Sequence, residues 1–483
     1  MSKKLKEDDK GLHINRVYQT LQCLEPAEIK RLLKYLKSPY FNQSKTLIAL
    51  FQELLPSLEA GQPGFDRLAV WQHLFPEDPF DDVNFRKYCS DLLKLIEGFM
   101  SQETIAMNPD RQVTDLLEFV VRRKVEPLYS VALRQARRGV DETRFRSLDD
   151  LKNAYRVERL YYEMMDFDVK LNTKSNLEQI SVNLDLFYWI EKLKLYASVL
   201  SQKRTGNFNY NLYFNEEIFE YLKNVPIDET PELAIYYYSL LTLRDGENDE
   251  YYYKLKKLLT AYGPSMPQKE AIELYDSALH YCTGKLNQGN RDFMQEYFEM
   301  FEDGLNKGIF IVNNELATWR FNNAVAAALR LGKLDWAEQF IENNKKSLPL
   351  DTQKNTYSFN LARVYRYQRK YDQVLSLLRN IEYEDIGYNL LSKSMLINAY
   401  YELKEFDALD SFMESFRVFL NRHKNIPLQW QKSYLNMLKY VRRLTRIAPG
   451  DKKAVEKLRQ DIHRESSNNV NQKWLLEKLE ELD

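Results

Sequence analysis

Five histidines and three cysteines are the side chains best equipped to bind metal or attack a substrate, and their spacing gives them no shared site. His13, His73, His280, His423 and His463 are scattered along the 483 residues. None has Glu three positions before it, as a di-iron helix bundle requires, and none stands in HExxH. Asp276 and His280 share a helix face at i,i+4, yet Cys282 points about 200° away from His280, so the three cannot converge on one metal. Cys23, Cys89 and Cys282 form no CxxC pair, which fits free thiols in a reducing compartment. Walker A and GxGxxG sequences are absent, and "GPSMP" at Gly263 lacks the second glycine of GxSxG. Carboxylate pairs recur throughout, so no pair singles out an acid and a base. The pattern predicts no catalytic residue, no cofactor and no metal.

Charge offers a different chemistry. From Arg122 to Arg146 there are eight Arg or Lys against three acids, including Arg122, Arg123, Lys124, Arg134, Arg137 and Arg138. A second basic stretch begins at Arg442. Such faces suit phosphates or an acidic partner, so a nucleic-acid-associated regulator is one reading. The competing reading is a solvated face paired to acids on neighbouring helices. Overall charge favours neither, because 69 basic residues balance 70 acidic ones to a net of -1.

The elements that must carry these residues are helical. Only 15 Gly and 15 Pro interrupt the chain, while 44% of residues are hydrophobic and 29% charged, a balance suited to helices that each bury one stripe. "LEPAEIKRLLKYLKSP" places Pro26 near a helix start, and Thr230-Pro231-Glu232 repeats that order of cap, proline and first-turn acid. No strand is predicted; the tyrosine triplets at 236–238 and 251–253 lie in helical surroundings. The charged start "MSKKLKEDDKGLHINR" lacks an apolar segment of signal-peptide length, and no run approaches about 18 apolar residues. A cytoplasmic protein without membrane insertion is expected.

A frayed repeat organises most of the chain. "KLDWAEQFI", "KYDQVLSLL" and "EFDALDSFM" align on Asp335, Asp372 and Asp407, spaced 37 and 35 residues apart. Looser copies at Asp292 and Asp249 extend the series upstream. An Asp in the first turn of a hairpin's second helix meets the positive end of the helix dipole, worth about 0.3–1 kcal/mol, and can accept an unpaired backbone N–H. The expected organisation is a helical module over residues 1–109, a helical-repeat array over 110–428, and capping helices over 429–483, with Trp474 and Leu475 turned inward.

Residues 318–421 resemble tetratricopeptide repeats. Gly332, Leu334 and Ala337 match that family's turn glycine, its apolar or aromatic position and its small second-helix residue, and Pro349 matches the closing proline. Ala362, Tyr365 and Tyr371 keep the pattern in the next copy; Val325, Val374, Ile397 and Leu409 depart from it. The resemblance implies an all-α, right-handed α-solenoid of helical hairpins whose first helices line a groove that binds peptides or proteins. On that basis Asn322, Arg363, Arg366, Asn398 and Tyr401 face inward, offering amide, guanidinium and phenol donors to a partner's carbonyls or carboxylates. A non-enzymatic interaction scaffold is the function expected.

Overall fold

Helix starts fall at residues that can satisfy free backbone N–H groups. Pro26 is the first residue of Pro26–Lys37, the Ser44 hydroxyl accepts from Leu47 N at the start of Lys45–Glu59, and Asp81 caps Asp82–Ala106. Asn108 accepts from Arg111 N (3.0 Å), with Pro109 opening Pro109–Arg122. The computed structural model describes residues 13–138, 145–206, 208, 210–211, 215–379, 385–464 and 470–482; the charged residues 1–12 and Arg144 lie outside them. Among the described residues there are 24 α-helices, so the fold is all-α. No described helix is long and apolar enough to cross a membrane.

One departure from the expected absence of strands is a pair of two-residue strands, Ile311–Val312 and Glu315–Leu316. Asn313 and Asn314 join them with φ of 52° and 64°, the left-handed conformation that a two-residue hairpin turn needs and that asparagine tolerates. Strands this short carry no alternation of polarity for a sequence pattern to register.

The chain divides into two compact units, Met1–Glu142 with Leu148–Phe187, and Thr143–Ser147 with Tyr188–Asp483. In the first unit one core runs from Val17 to Phe99 around Tyr18, Phe51, Phe65 and Phe85, and a smaller one joins Leu117, Val120, Ala132, Ala136, Val157 and Leu160. The second unit is a succession of helices in which Pro231–Arg244 is enclosed on all sides. Its Tyr236, Tyr237 and Tyr238 point in different directions and are all buried, as packing rather than as an aromatic face.

Three hairpins of the second unit share one turn. Gly332, Arg369 and Lys404, each three residues before the repeated Asp, have φ of 72°, 61° and 60°. In each, the next residue's N–H reaches back five positions to a carbonyl: Lys333 to Ala328, Lys370 to Tyr365 and Glu405 to Tyr400. Gly289 and Asn290 repeat the geometry before Asp292. Asp335, Asp372 and Asp407 all occupy the second position of the following helix, where the dipole acts on them. The expected bond from a backbone N–H to these carboxylates is not found among the described residues. At the chain's end Trp474, Leu475 and Leu479 are buried in the core that begins at Phe359.

Candidate functional site

Four helices that each open a hairpin or the terminal segment carry an asparagine at a constant interval. Asn322, Asn360, Asn398 and Asn436 lie 38 residues apart, on Thr318–Arg330, Gln353–Tyr367, Ile386–Glu402 and Leu428–Leu444. The first three are buried. Asn360 Nδ2 donates to Asn322 Oδ1 (2.5 Å) and to Thr356 O (2.8 Å). Asn398 Oδ1 accepts from Asn471 Nδ2 (2.7 Å), while the Nδ2 atoms of Asn398 and Asn436 are buried without an acceptor among the described residues. A buried donor left unpaired costs about 1–3 kcal/mol, so this face is short of acceptors.

Arg363 and Arg366 add to that surplus. They stand at i,i+3 on one face of Gln353–Tyr367 and are half-buried. Arg363 Nη1 donates to Asn322 O and Asn360 Oδ1, both at 3.1 Å, and its guanidinium lies 5.6 Å from the Phe359 ring. Arg366 Nη2 donates to Asn471 Oδ1 (3.1 Å). Neither guanidinium forms an ion pair with a carboxylate among the described residues. Burial pulls Arg363 down to about 10 because the charged form has lost water, and it lowers Arg366 in the same way, an effect that the Glu402 and Glu477 carboxylates offset only in part. Each guanidinium has five N–H groups, most of them still available to an acceptor.

The chain's own terminus covers one end of this face. Asn471, with φ of 58°, bonds both Arg366 and Asn398; Trp474 meets the Tyr401 ring edge-on at 5.3 Å and donates to Glu402 (2.7 Å), as does Lys478 (2.9 Å). Burial raises the Tyr401 phenol above its usual value. Beside them a cavity of about 430 Å³ is lined by Arg366, Tyr371, Glu402, Asn471 and Trp474. Of the residues expected on an inner face, Arg366, Asn398 and Tyr401 therefore meet one segment, and Arg363 meets Asn322. Asn322 and Asn398 are buried between helices, with 5% and 0% of their surface exposed.

Further up the second unit, a cavity of about 650 Å³ is lined by Lys194, Ser198, Tyr236, Ser239, Glu273 and His280, among others. Several polar side chains around it are bonded within the unit, in two separate groups. The Tyr236 hydroxyl donates to Glu270, Lys194 bonds the same carboxylate (3.1 Å), and Arg320 grips Asp276 with two bonds of 2.6 Å. His280 Nδ1 lies 2.7 Å from the Asp276 carbonyl, so the Asp276 carboxylate belongs to Arg320 and not to the imidazole. Cys282 is buried and its thiol is pushed up to about 12 by burial, which makes it a poor nucleophile. No three His, Cys, Asp or Glu side chains among the described residues converge as metal ligands.

The basic stretch of the first unit separates into two sets. Arg122 pairs with Glu118 (2.5 Å), and Arg137 holds Glu158 through two bonds of 2.8 Å while lying 4.4 Å from the Tyr161 ring. Arg123, Lys124, Arg134 and Arg138 are exposed and form no ion pair among the described residues. In the second stretch Arg443 pairs with Asp461 (2.6 Å) and Arg442 with Glu414 (3.5 Å).

No protein-family model matches the chain, and no curated protein or solved structure matches it either. Sequence reasoning passed over Asn360, Asn436 and Asn471. The signal for the first two was present: the interval of 38 residues links Asn322 to Asn436 without a gap.

Proposed function

We propose that the second unit is a right-handed α-solenoid of tetratricopeptide-like hairpins and that the protein is a non-enzymatic, cytoplasmic scaffold. It holds a protein or peptide partner along the face of Arg363, Arg366 and Tyr401, beneath which Asn322, Asn360 and Asn398 are buried. The observation that carries the reading is the pair Arg363 and Arg366, desolvated side by side and forming no direct ion pair among the described residues. Buried cations are otherwise paired, since the loss of hydration is offset only by an anion or a full set of acceptors. A partner's backbone carbonyls or carboxylates provide what the face lacks. The recurrent turn at Gly289, Gly332, Arg369 and Lys404 supports a stack of like hairpins, each presenting its first helix in the same sense.

The test is affinity purification of the full chain followed by mass spectrometry, beside the double variant Arg363→Met, Arg366→Met. The parent chain recovers a protein partner in stoichiometric amount and the variant does not. Equal recovery by both would remove these arginines from the interface, and recovery of no partner by the parent would remove the scaffold reading.

A further inference from the structure

The first unit carries a second surface, independent of the face just described. Helices Pro109–Arg122 and Tyr129–Arg138 are joined by a short turn in which Lys124 has φ of 53°. Their inner side is filled, with Leu117, Val120, Ala132 and Ala136 packed on Val157 and Leu160 of Leu148–Met164. Polar contacts fix the flank on which that third helix lies: Arg156 reaches Asp115 (2.9 Å) and Glu118 (2.7 Å), and Arg137 is held by Glu158. At 100° per residue, Leu116, Phe119 and Arg123 then fall on the flank away from Glu118, and Val131, Gln135 and Arg138 on the flank away from Arg137.

Exposure agrees with that placement. Phe119, Leu116 and Val131 are 59%, 45% and 38% exposed, and Leu128 at the turn is 46% exposed. Arg123 lies 5.9 Å from the Phe119 ring. The one further residue on these two arcs is Gln112, so neither arc contains a carboxylate. Asp115, one turn before Phe119, is committed to Arg156 together with Glu118, and Glu126 sits in the turn. Two helices thus present apolar side chains bordered by guanidinium groups that form no ion pair among the described residues.

We propose that this flank docks an amphipathic helix of a partner protein, one whose apolar stripe is bordered by Asp and Glu. Such a helix lies in the open groove of the pair as Leu148–Met164 lies in the filled one. Leu116, Phe119 and Val131 meet its stripe, and Arg123 and Arg138 set its register and orientation through its acids. A nucleic-acid backbone would engage the arginines and leave the apolar groups in water.

The probe is a fluorescein-labelled peptide of about 14 residues, the length of helix the surface accommodates, with Leu at i, i+3, i+4 and i+7 and Glu on either side. Fluorescence anisotropy on the full chain gives saturable binding, about tenfold tighter than for a twin peptide with Lys in place of Glu. The double variant Arg123→Glu, Arg138→Glu reverses the preference between the twins, a swap that an unfolded protein cannot produce, and Phe119→Ser weakens both. The proposal is overturned if the Glu peptide does not saturate, or if charge reversal leaves the preference unchanged. It is equally overturned if equimolar phosphatidylserine and phosphatidylcholine vesicles, or duplex DNA, bind more tightly than the peptide and lose that binding in the same variant.

Discussion

Arg320 and the pair Arg363 and Arg366 stand on neighbouring first helices of the second unit and are desolvated for different ends. Arg320 is 6% exposed, gives both terminal nitrogens to the Asp276 carboxylate at 2.6 Å, and lies 4.4 Å from the Phe310 ring. Its charge is fully answered inside the chain. Arg363 and Arg366 are less enclosed, hydrogen-bond to neutral oxygens without a direct ion pair among the described residues, and are pulled below the ordinary arginine range by burial. A paired buried charge reports on the architecture, and breaking it harms the fold. An unanswered charge carries a standing desolvation cost, and its removal is felt by whatever supplies the missing acceptors.

The sharpest way to break the comparison is Asp276→Ala, which leaves Arg320 buried and alone. A loss of about 3–5 kcal/mol is expected, read from the urea unfolding midpoint of the full chain. Asn360→Ala ranks next. It strips the donor from Asn322 Oδ1 and an acceptor from Arg363, and a loss of about 1–3 kcal/mol is expected in the same titration. Arg363→Met and Arg366→Met should each leave stability within about 1 kcal/mol of the parent, or raise it, because a desolvated cation without a direct ion pair among the described residues is exchanged for an apolar chain of similar length. A loss as large as that of Asp276→Ala would place both arginines with Arg320 as structural groups. Asn436→Leu differs in sign: it deletes a buried donor that bonds nothing among the described residues and should raise stability, by up to about 1–3 kcal/mol.

The repeat was legible because Asp335, Asp372 and Asp407 mark one position of one turn, and the structure gives all three the same setting. The left-handed residues of that turn were half hidden. Gly332 announces a positive φ, whereas Arg369 and Lys404 adopt it without glycine, held by the carbonyl bonds of the turn. Asn322, Arg363, Arg366, Asn398 and Tyr401 were placed on shared helix faces by spacing alone, but spacing does not tell an open groove from a helix interface. The burial of Asn322 and Asn398 comes from neighbours 38 and 73 residues away in sequence, Asn360 and Asn471. Alignment on the aspartates at 37 and 35 residues also obscured the even interval of the asparagines, since a turn longer or shorter by a residue shifts one marker against the other. In the basic stretch, Arg137 and Arg138 are adjacent and equally charged, yet only Arg137 reaches Glu158; the difference is set by the flank on which Leu148–Met164 packs.

The most direct measurement is photo-crosslinking from position 367, where Tyr367 is half exposed and lines the cavity beside Arg366. A benzophenone amino acid placed there in the full chain should capture one protein species in cells, and capture should vanish when Arg363 and Arg366 are both changed to Met. Capture that persists undiminished in that variant, or no captured protein in the parent chain, would contradict a partner held by these two arginines.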